Sequence, residues 1–146
     1  MKIKIQLDDS CKELQVIIIT DQMSEQINHI IQRLSEDSPQ VLTGFQDDIL
    51  KILEPSEILR IYTTAGKVYA ITETGEYTLR LRLYELEERL NKNHFVRISN
   101  SEIINLKKVK HFDLSFTGTI CITLTDGTVT YTSRRYVTKI KQVLGI

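Results

Sequence analysis

The sequence predicts a mainly β, α+β chain: an antiparallel β-sandwich with two short helices over residues 44–146, preceded by a small ββα extension over 1–43. Three observations carry this. Apolar residues alternate with polar ones in many segments of strand length. Glycine-bearing turns separate those segments. Helical spacing of apolar residues appears only in short stretches.

The first seven residues alternate, with Ile3, Ile5 and Leu7 on one face of a half-buried strand. Leu14 to Thr20 is a second, almost wholly apolar strand rich in β-branched residues. Ile27, Ile30, Ile31 and Leu34 then fall on one helical face, with Ser24 or Asp21 as N-cap. Ser35 to Gly44, containing Pro39, has the composition of a linker. About 40 residues rarely fold alone, so this unit is expected to bury its apolar face on the second region or on a second copy of itself.

From Phe45 onward, Ile58 to Thr63 and Lys67 to Thr72 are strands joined by Thr64-Ala65-Gly66, and Glu73-Thr74-Gly75-Glu76 leads to a strand at Tyr77 to Leu81. Leu83, Leu86 and Leu90 mark one short helix, ended by Asn91 to Asn93. Phe95 to Ile98, Lys107 to Leu114, Ile120 to Leu124 and Val129 to Thr132 are strand-like. A last helix brings Val137, Ile140, Val143 and Leu144 together before Gly145.

Composition excludes several classes. Of 146 residues, 41% are hydrophobic and 26% charged, which is a globular and not a disordered balance. No apolar run approaches the roughly 20 residues of a membrane-spanning helix, and the N-terminus lacks a signal-peptide pattern, so a cytoplasmic protein is expected. Cys11 and Cys121 are expected as free, mostly buried thiols. The net charge of zero hides an asymmetry. Residues 1–54 carry five basic against ten acidic side chains, a net of −5. From Asn91 to the end, nine basic side chains stand against three acidic ones, a net of +6. A basic end on a neutral chain suggests a polyanionic partner, although a solvated basic face would read the same way.

Catalytic chemistry finds no foothold. The six glycines form no phosphate-binding loop, and His29, His94 and His111 stand apart from any second metal ligand. Asp8-Asp9 and Asp47-Asp48 read as solvated turn residues, since neighbours on a strand point to opposite faces. No enzyme activity, metal or cofactor is called for.

Two stretches carry a signal. The first is Phe95-Val96-Arg97-Ile98-Ser99-Asn100-Ser101-Glu102-Ile103-Ile104-Asn105-Leu106, and the second is Thr132-Ser133-Arg134-Arg135-Tyr136-Val137. Each sets compact hydrogen-bonding residues beside arginine in a loop between rigid elements. Asn can pair bidentately with adenine, Arg with guanine or phosphate, and Ser with either. From chemistry alone they read equally as ordinary turns, with Ser133 as an N-cap.

Their order and spacing resemble the LytTR family of bacterial transcription-factor DNA-binding domains. The resemblance runs from about Ile49 to Leu144. It includes Ile58-Leu59-Arg60-Ile61-Tyr62, Tyr77-Thr78-Leu79-Arg80, Leu83-Tyr84-Glu85-Leu86-Glu87, F-x-R-I-S-N-S-x-I-I-N-L at Phe95 to Leu106, Asp126-Gly127 and Ser133-Arg134-Arg135-Tyr136. It implies stacked antiparallel β-sheets with two short helices that read DNA with loops instead of a recognition helix. By that resemblance the DNA-binding residues are Thr64 and Lys67 in a first segment. Arg97, Ser99, Asn100 and Ser101 form a second, and Ser133, Arg134 and Arg135 a third. Lys107, Lys108, Lys110, Lys139 and Lys141 are the phosphate-contact candidates. Where the family often has Tyr after Ser, this chain has Glu102, a carboxylate expected to turn inward or sideways, and Asn105 is expected to cap a turn.

Family members often carry a phosphoacceptor receiver domain, which the first 43 residues cannot hold. The expectation is a response-regulator-like, stand-alone transcriptional regulator of bacterial type. It would bind double-stranded DNA as a homodimer on repeated half-sites, its acidic extension dimerising the protein and keeping negative charge from DNA. Control through a neighbouring membrane protein fits this reading; insertion of the chain itself into a membrane does not. The alternative is a protein-interaction module that sequesters a partner.

Overall fold

The computed structural model describes residues 1–35 and 41–146; the linker expected at Ser35 to Gly44 lies partly outside them. The chain divides into two compact units, Met1–Pro39 and Gln40–Ile146.

In the first unit, helix α1 spans Glu25–Ser35. Ser24 begins it, its Oγ accepting from the Ile27 N–H at 3.4 Å. The two strands expected before it do not form: residues 1–7 and 14–20 have no strand partner. Alternation states which side chains share a face, but a strand also needs a second edge for its main-chain N–H and C=O groups, and neither segment finds one among the described residues. Cys11 is exposed, contrary to the buried thiol expected, because it lies in the turn between these segments; Cys121 is half-buried, and both are free.

The second unit holds two antiparallel sheets and two helices. The seven-stranded sheet has β1 (Leu42–Gln46), β2 (Ile49–Leu53), β3 (Ile58–Thr64), β4 (Lys67–Thr72), β5 (Gly75–Leu79), β6 (Phe95–Ser99) and β7 (Glu102–Asn105), ordered β2-β1-β5-β4-β3-β7-β6. The three-stranded sheet has β8 (Val109–Asp113), β9 (Cys121–Leu124) and β10 (Val129–Tyr131), ordered β10-β9-β8. Helix α2 is Leu83–Arg89 and helix α3 is Arg134–Leu144.

At β3, β7 and β6 the large sheet is covered on both faces. On one, Leu83, Leu86 and Leu90 of α2 and its end pack with Ile58, Ile61, Val68, Leu79 and Ile103. On the other, Leu59, Val96, Ile98 and Ile104 meet Ile120, Ile122 and Leu124 of the small sheet and Ile140 of α3. An irregularity between Ile58 and Arg60 in the β3–β4 ladder lets Ile58 and Ile61, three residues apart, share a face while Leu59 serves the other. This layering of helix, sheet and sheet-plus-helix replaces the plain sandwich that alternation alone suggests.

Three further differences matter. The β1–β2 hairpin starts at Leu42, within the stretch that composition assigns to the linker, and continues through residues 45–53, where alternation predicts no element; Asp47-Asp48 is its tight turn, with Gln46 opposite Ile49. Gly44 permits it, since a Cβ there would lie 2.8 Å from Tyr77 Cβ. Residues Glu102 to Asn105, expected within a loop, form a buried central strand. In α3 the half-buried Tyr136 joins the core face and Val143 stays largely exposed, a phase shift from the expected stripe. Among the described residues, no helix is long and apolar enough to cross a membrane.

Candidate nucleic-acid interface

Three connections meet at one end of the large sheet. The β3–β4 hairpin turns in two residues, with Thr64 opposite Lys67. Ala65 and Gly66 sit at φ of 50° and 76°, the paired left-handed conformation that suits a tight hairpin. Thr63 Oγ1 donates to the Lys67 carbonyl at 2.9 Å, leaving Thr64 and Lys67 exposed.

The β6–β7 connection, Ser99 to Ser101, lies beside it: the Thr63 N–H donates to the Ser101 carbonyl at 2.9 Å. Ser101 N–H bonds Ser99 Oγ at 3.2 Å, and the two hydroxyls lie 3.2 Å apart. The start of α3 closes the group. Ser133 N–H donates to the Ile98 carbonyl at 2.9 Å, and the Tyr136 hydroxyl donates to Asn100 Oδ1 at 3.1 Å. That bond orients the exposed Asn100 amide with its NH2 group unpaired. The structure therefore brings all three sequence-expected segments together.

The arginines divide into two kinds. Arg97 is spent internally: Nε donates to the Ser99 carbonyl at 3.0 Å, Nη2 to the Asn100 carbonyl at 2.7 Å, and Nη1 to Glu87 Oε2 at 3.0 Å. It shapes the turn instead of facing a ligand. Arg134 and Arg135 are exposed in the first turn of α3, which contains no acidic residue. Two cations at the positive end of a helix repel its dipole, and the Ser133 hydroxyl makes no capping bond there. Together they form a surface that an anion would relieve.

Glu102, the expected inward-turning carboxylate, is 8% exposed. Its Oε1 takes a 2.9 Å ion pair from Arg60 Nη1 and its Oε2 a 2.6 Å bond from Thr130 Oγ1. The Arg60 guanidinium also lies 4.6 Å from the Tyr62 ring centroid. Asn105 holds the far end of β7, its Oδ1 accepting from Lys107 N–H at 3.0 Å and its Nδ2 donating to the Ile58 carbonyl at 2.9 Å.

The lysine candidates do not form one patch. Lys139 lies one helical turn beyond Arg135, 3.4 Å from Glu87 Oε1, and so joins the Arg97 ion-pair chain. Lys107 and Lys108 follow β7 at the end of the strand opposite the three turns; Lys108 pairs with Glu73 of the β4–β5 turn at 3.2 Å. Lys110 is exposed on β8 and Lys141 on α3. A cavity of about 320 Å³, lined in part by Leu90, Phe95, Asn105 and Lys107, also opens at the remote end.

Sequence reasoning missed Tyr136 and Glu87 as parts of the site. Tyr136 was visible in S-R-R-Y but read only as motif. Glu87 was a carboxylate next to the apolar Leu86 of a short helix, with nothing in its spacing to name Arg97 and Lys139 as partners. Burial would raise the Glu87 pKa, but the Arg97 hydrogen bond and the Lys139 charge outweigh it and hold the carboxyl below the usual glutamate range.

The profile of the LytTr DNA-binding domain matches residues 48–145. Proteins described as uncharacterized HTH-type transcriptional regulators from Staphylococcus aureus strains NCTC 8325 and COL are each 34% identical over 147 residues, covering 100% of this chain and 99% of theirs. Among the described residues no two helices are joined by a turn alone: five strands separate α1 from α2 and five separate α2 from α3. A solved LytTr DNA-binding domain from Bacillus cereus superposes with a TM-score of 0.70 at 24% identity, covering 73% of this chain and 97% of that one. With well over half of its length matched by the family profile, the chain belongs to the LytTr DNA-binding domain family.

Proposed function

We propose that this protein is a cytoplasmic transcriptional regulator, not an enzyme, that reads duplex DNA as a homodimer on repeated half-sites. Thr64 and Lys67, Ser99 to Ser101, and Ser133 to Arg135 are its three reading segments. The observation that carries this is their convergence, held by the Thr63–Ser101, Ser133–Ile98 and Tyr136–Asn100 bonds. Asn100 and Arg135, both exposed, supply base discrimination, and the α3 N-terminus with Arg134 and Lys139 supplies phosphate affinity. Arg97 and Glu102 position the turn from inside. Residues 1–43 act as a separate extension serving assembly.

The test is selection of bound sequences from a random duplex library at physiological salt, with an Asn100→Ala, Arg135→Ala double variant in parallel. A repeated motif enriched by the wild type and lost by the variant supports the reading. No enrichment by folded protein overturns it.

A further inference from the structure

The N-terminal segment exposes an apolar face and an unpaired main chain. Ile3, Ile5 and Leu7 are 79%, 82% and 92% exposed. Leu14, Val16, Ile17 and Ile19 are exposed as well. Between described residues, the one main-chain hydrogen bond made within 1–23 is Cys11 N–H to the Asp8 carbonyl. Alternating strand sequence without a strand partner is a template for pairing with another chain.

The sequence of that segment says which chain. In an antiparallel pairing with its own copy about Ile5, Ile3 faces Leu7, Ile5 faces Ile5, Lys4 faces Gln6 and Lys2 faces Asp8. Over residues 2–8 one face becomes wholly aliphatic, and the other carries two symmetry-related opposite-charge pairs. Neighbouring registers do worse: about Lys4, lysine opposes lysine, and about Gln6, which still sets Lys4 against Asp8, Asp9 moves in from the end of the pair to oppose Ile3. Parallel in-register pairing stacks each lysine on itself. Asp8 is prepared for the role. Its Oδ1 accepts from Ser10 N–H at 2.9 Å and Ser10 Oγ at 2.6 Å, bonds that hold the carboxyl below the ordinary aspartate range and leave Oδ2 for a cation.

We propose that residues 2–8 form a two-fold antiparallel strand pair with the same residues of a second copy, centred on Ile5 and flanked by Lys2–Asp8 ion pairs. This rests on the homodimer reading above and assigns its interface.

The test uses the full chain with Cys11→Ser and Cys121→Ser. Sedimentation at micromolar concentration is expected to give a dimer, and Ile5→Cys to cross-link to itself under mild oxidation. Lys2→Glu is expected to weaken the dimer about tenfold, and Lys2→Glu with Asp8→Lys to restore it. A monomer, or a dimer indifferent to both Lys2→Glu and the Ile5→Cys cross-link, overturns the interface. A monomer that still selects a DNA motif ends this interface and leaves DNA reading intact. A cross-linked dimer that selects none does the reverse.

Discussion

Arg97 and Arg135 show how two arginines near the same turn acquire different work. Arg97 gives hydrogen bonds to two carbonyls of the turn and to Glu87, whereas Arg135 is exposed. Arg97→Met is therefore expected to lower the melting temperature and weaken binding to all DNA sequences alike. Arg135→Ala is expected to leave melting unchanged and to cost about 1–3 kcal/mol of discrimination at one base position, read by competition binding. Glu102→Gln leaves Arg60 without its counter-charge. Because the Arg60 side chain keeps 24% exposure, we expect a stability loss of about 1–2 kcal/mol by urea unfolding, below that of a fully buried pair. Glu87 sets a pH dependence. Its native pKa is depressed, so its contribution is fully present at neutral pH and lost as pH falls through that depressed value, below the usual glutamate range. Glu87→Gln should flatten that acid limb of the stability profile.

At the scale of elements, the β3–β4 and β6–β7 hairpins hold the proposed reading segments beside one another through the Thr63–Ser101 bond. Ala65 occupies the left-handed region at φ 50° beside Gly66, where asparagine is better tolerated. Ala65→Asn is expected to stabilise the protein by about 0.5–1 kcal/mol in thermal unfolding. Gly44→Ala is expected to destabilise it by about 1–3 kcal/mol, since the new methyl group would overlap Tyr77 Cβ and Leu53. Most of these elements were legible. The β3 and β4 strands, their turn, α2 and α3 follow from alternation, turn residues and helical spacing. The β1–β2 hairpin was not, because Leu42-Thr43-Gly44-Phe45-Gln46 is short, contains glycine and follows a proline-bearing linker. The strand at Glu102–Asn105 was hidden for another reason: buried on both faces, it does not alternate.

At the scale of the molecule, net charge predicts little and its placement predicts much. The three turns lie at one end of the large sheet, Lys139 follows one helical turn beyond Arg135 and pairs with Glu87, and Lys107 and Lys108 lie at the other end of β7. Affinity for duplex DNA should fall steeply with salt despite a formal charge of zero. Lys139→Ala is expected to reduce the slope of log affinity against log salt by about 1, and Lys107→Ala to leave it unchanged. A titration of binding across salt concentrations separates the two.

The amino-acid sequence by itself determined the residue types of the reading segments, most strand and helix positions and the acidic-to-basic gradient, because periodicity, turn chemistry and charge are local properties. Tertiary structure decided what each charge does. Arg97 and Arg135 differ in role because only one lies within reach of the Ser99 and Asn100 carbonyls. Lys107 and Lys139 differ because β7 separates Lys107 from the Ser99–Ser101 turn, whereas Lys139 joins the Glu87–Arg97 ion pairs that reach that turn. Pairing is likewise a property of what lies opposite, so Glu102 on β7 becomes an internal strut through Arg60 on β3 and Thr130 on β10, partners 42 and 28 residues away.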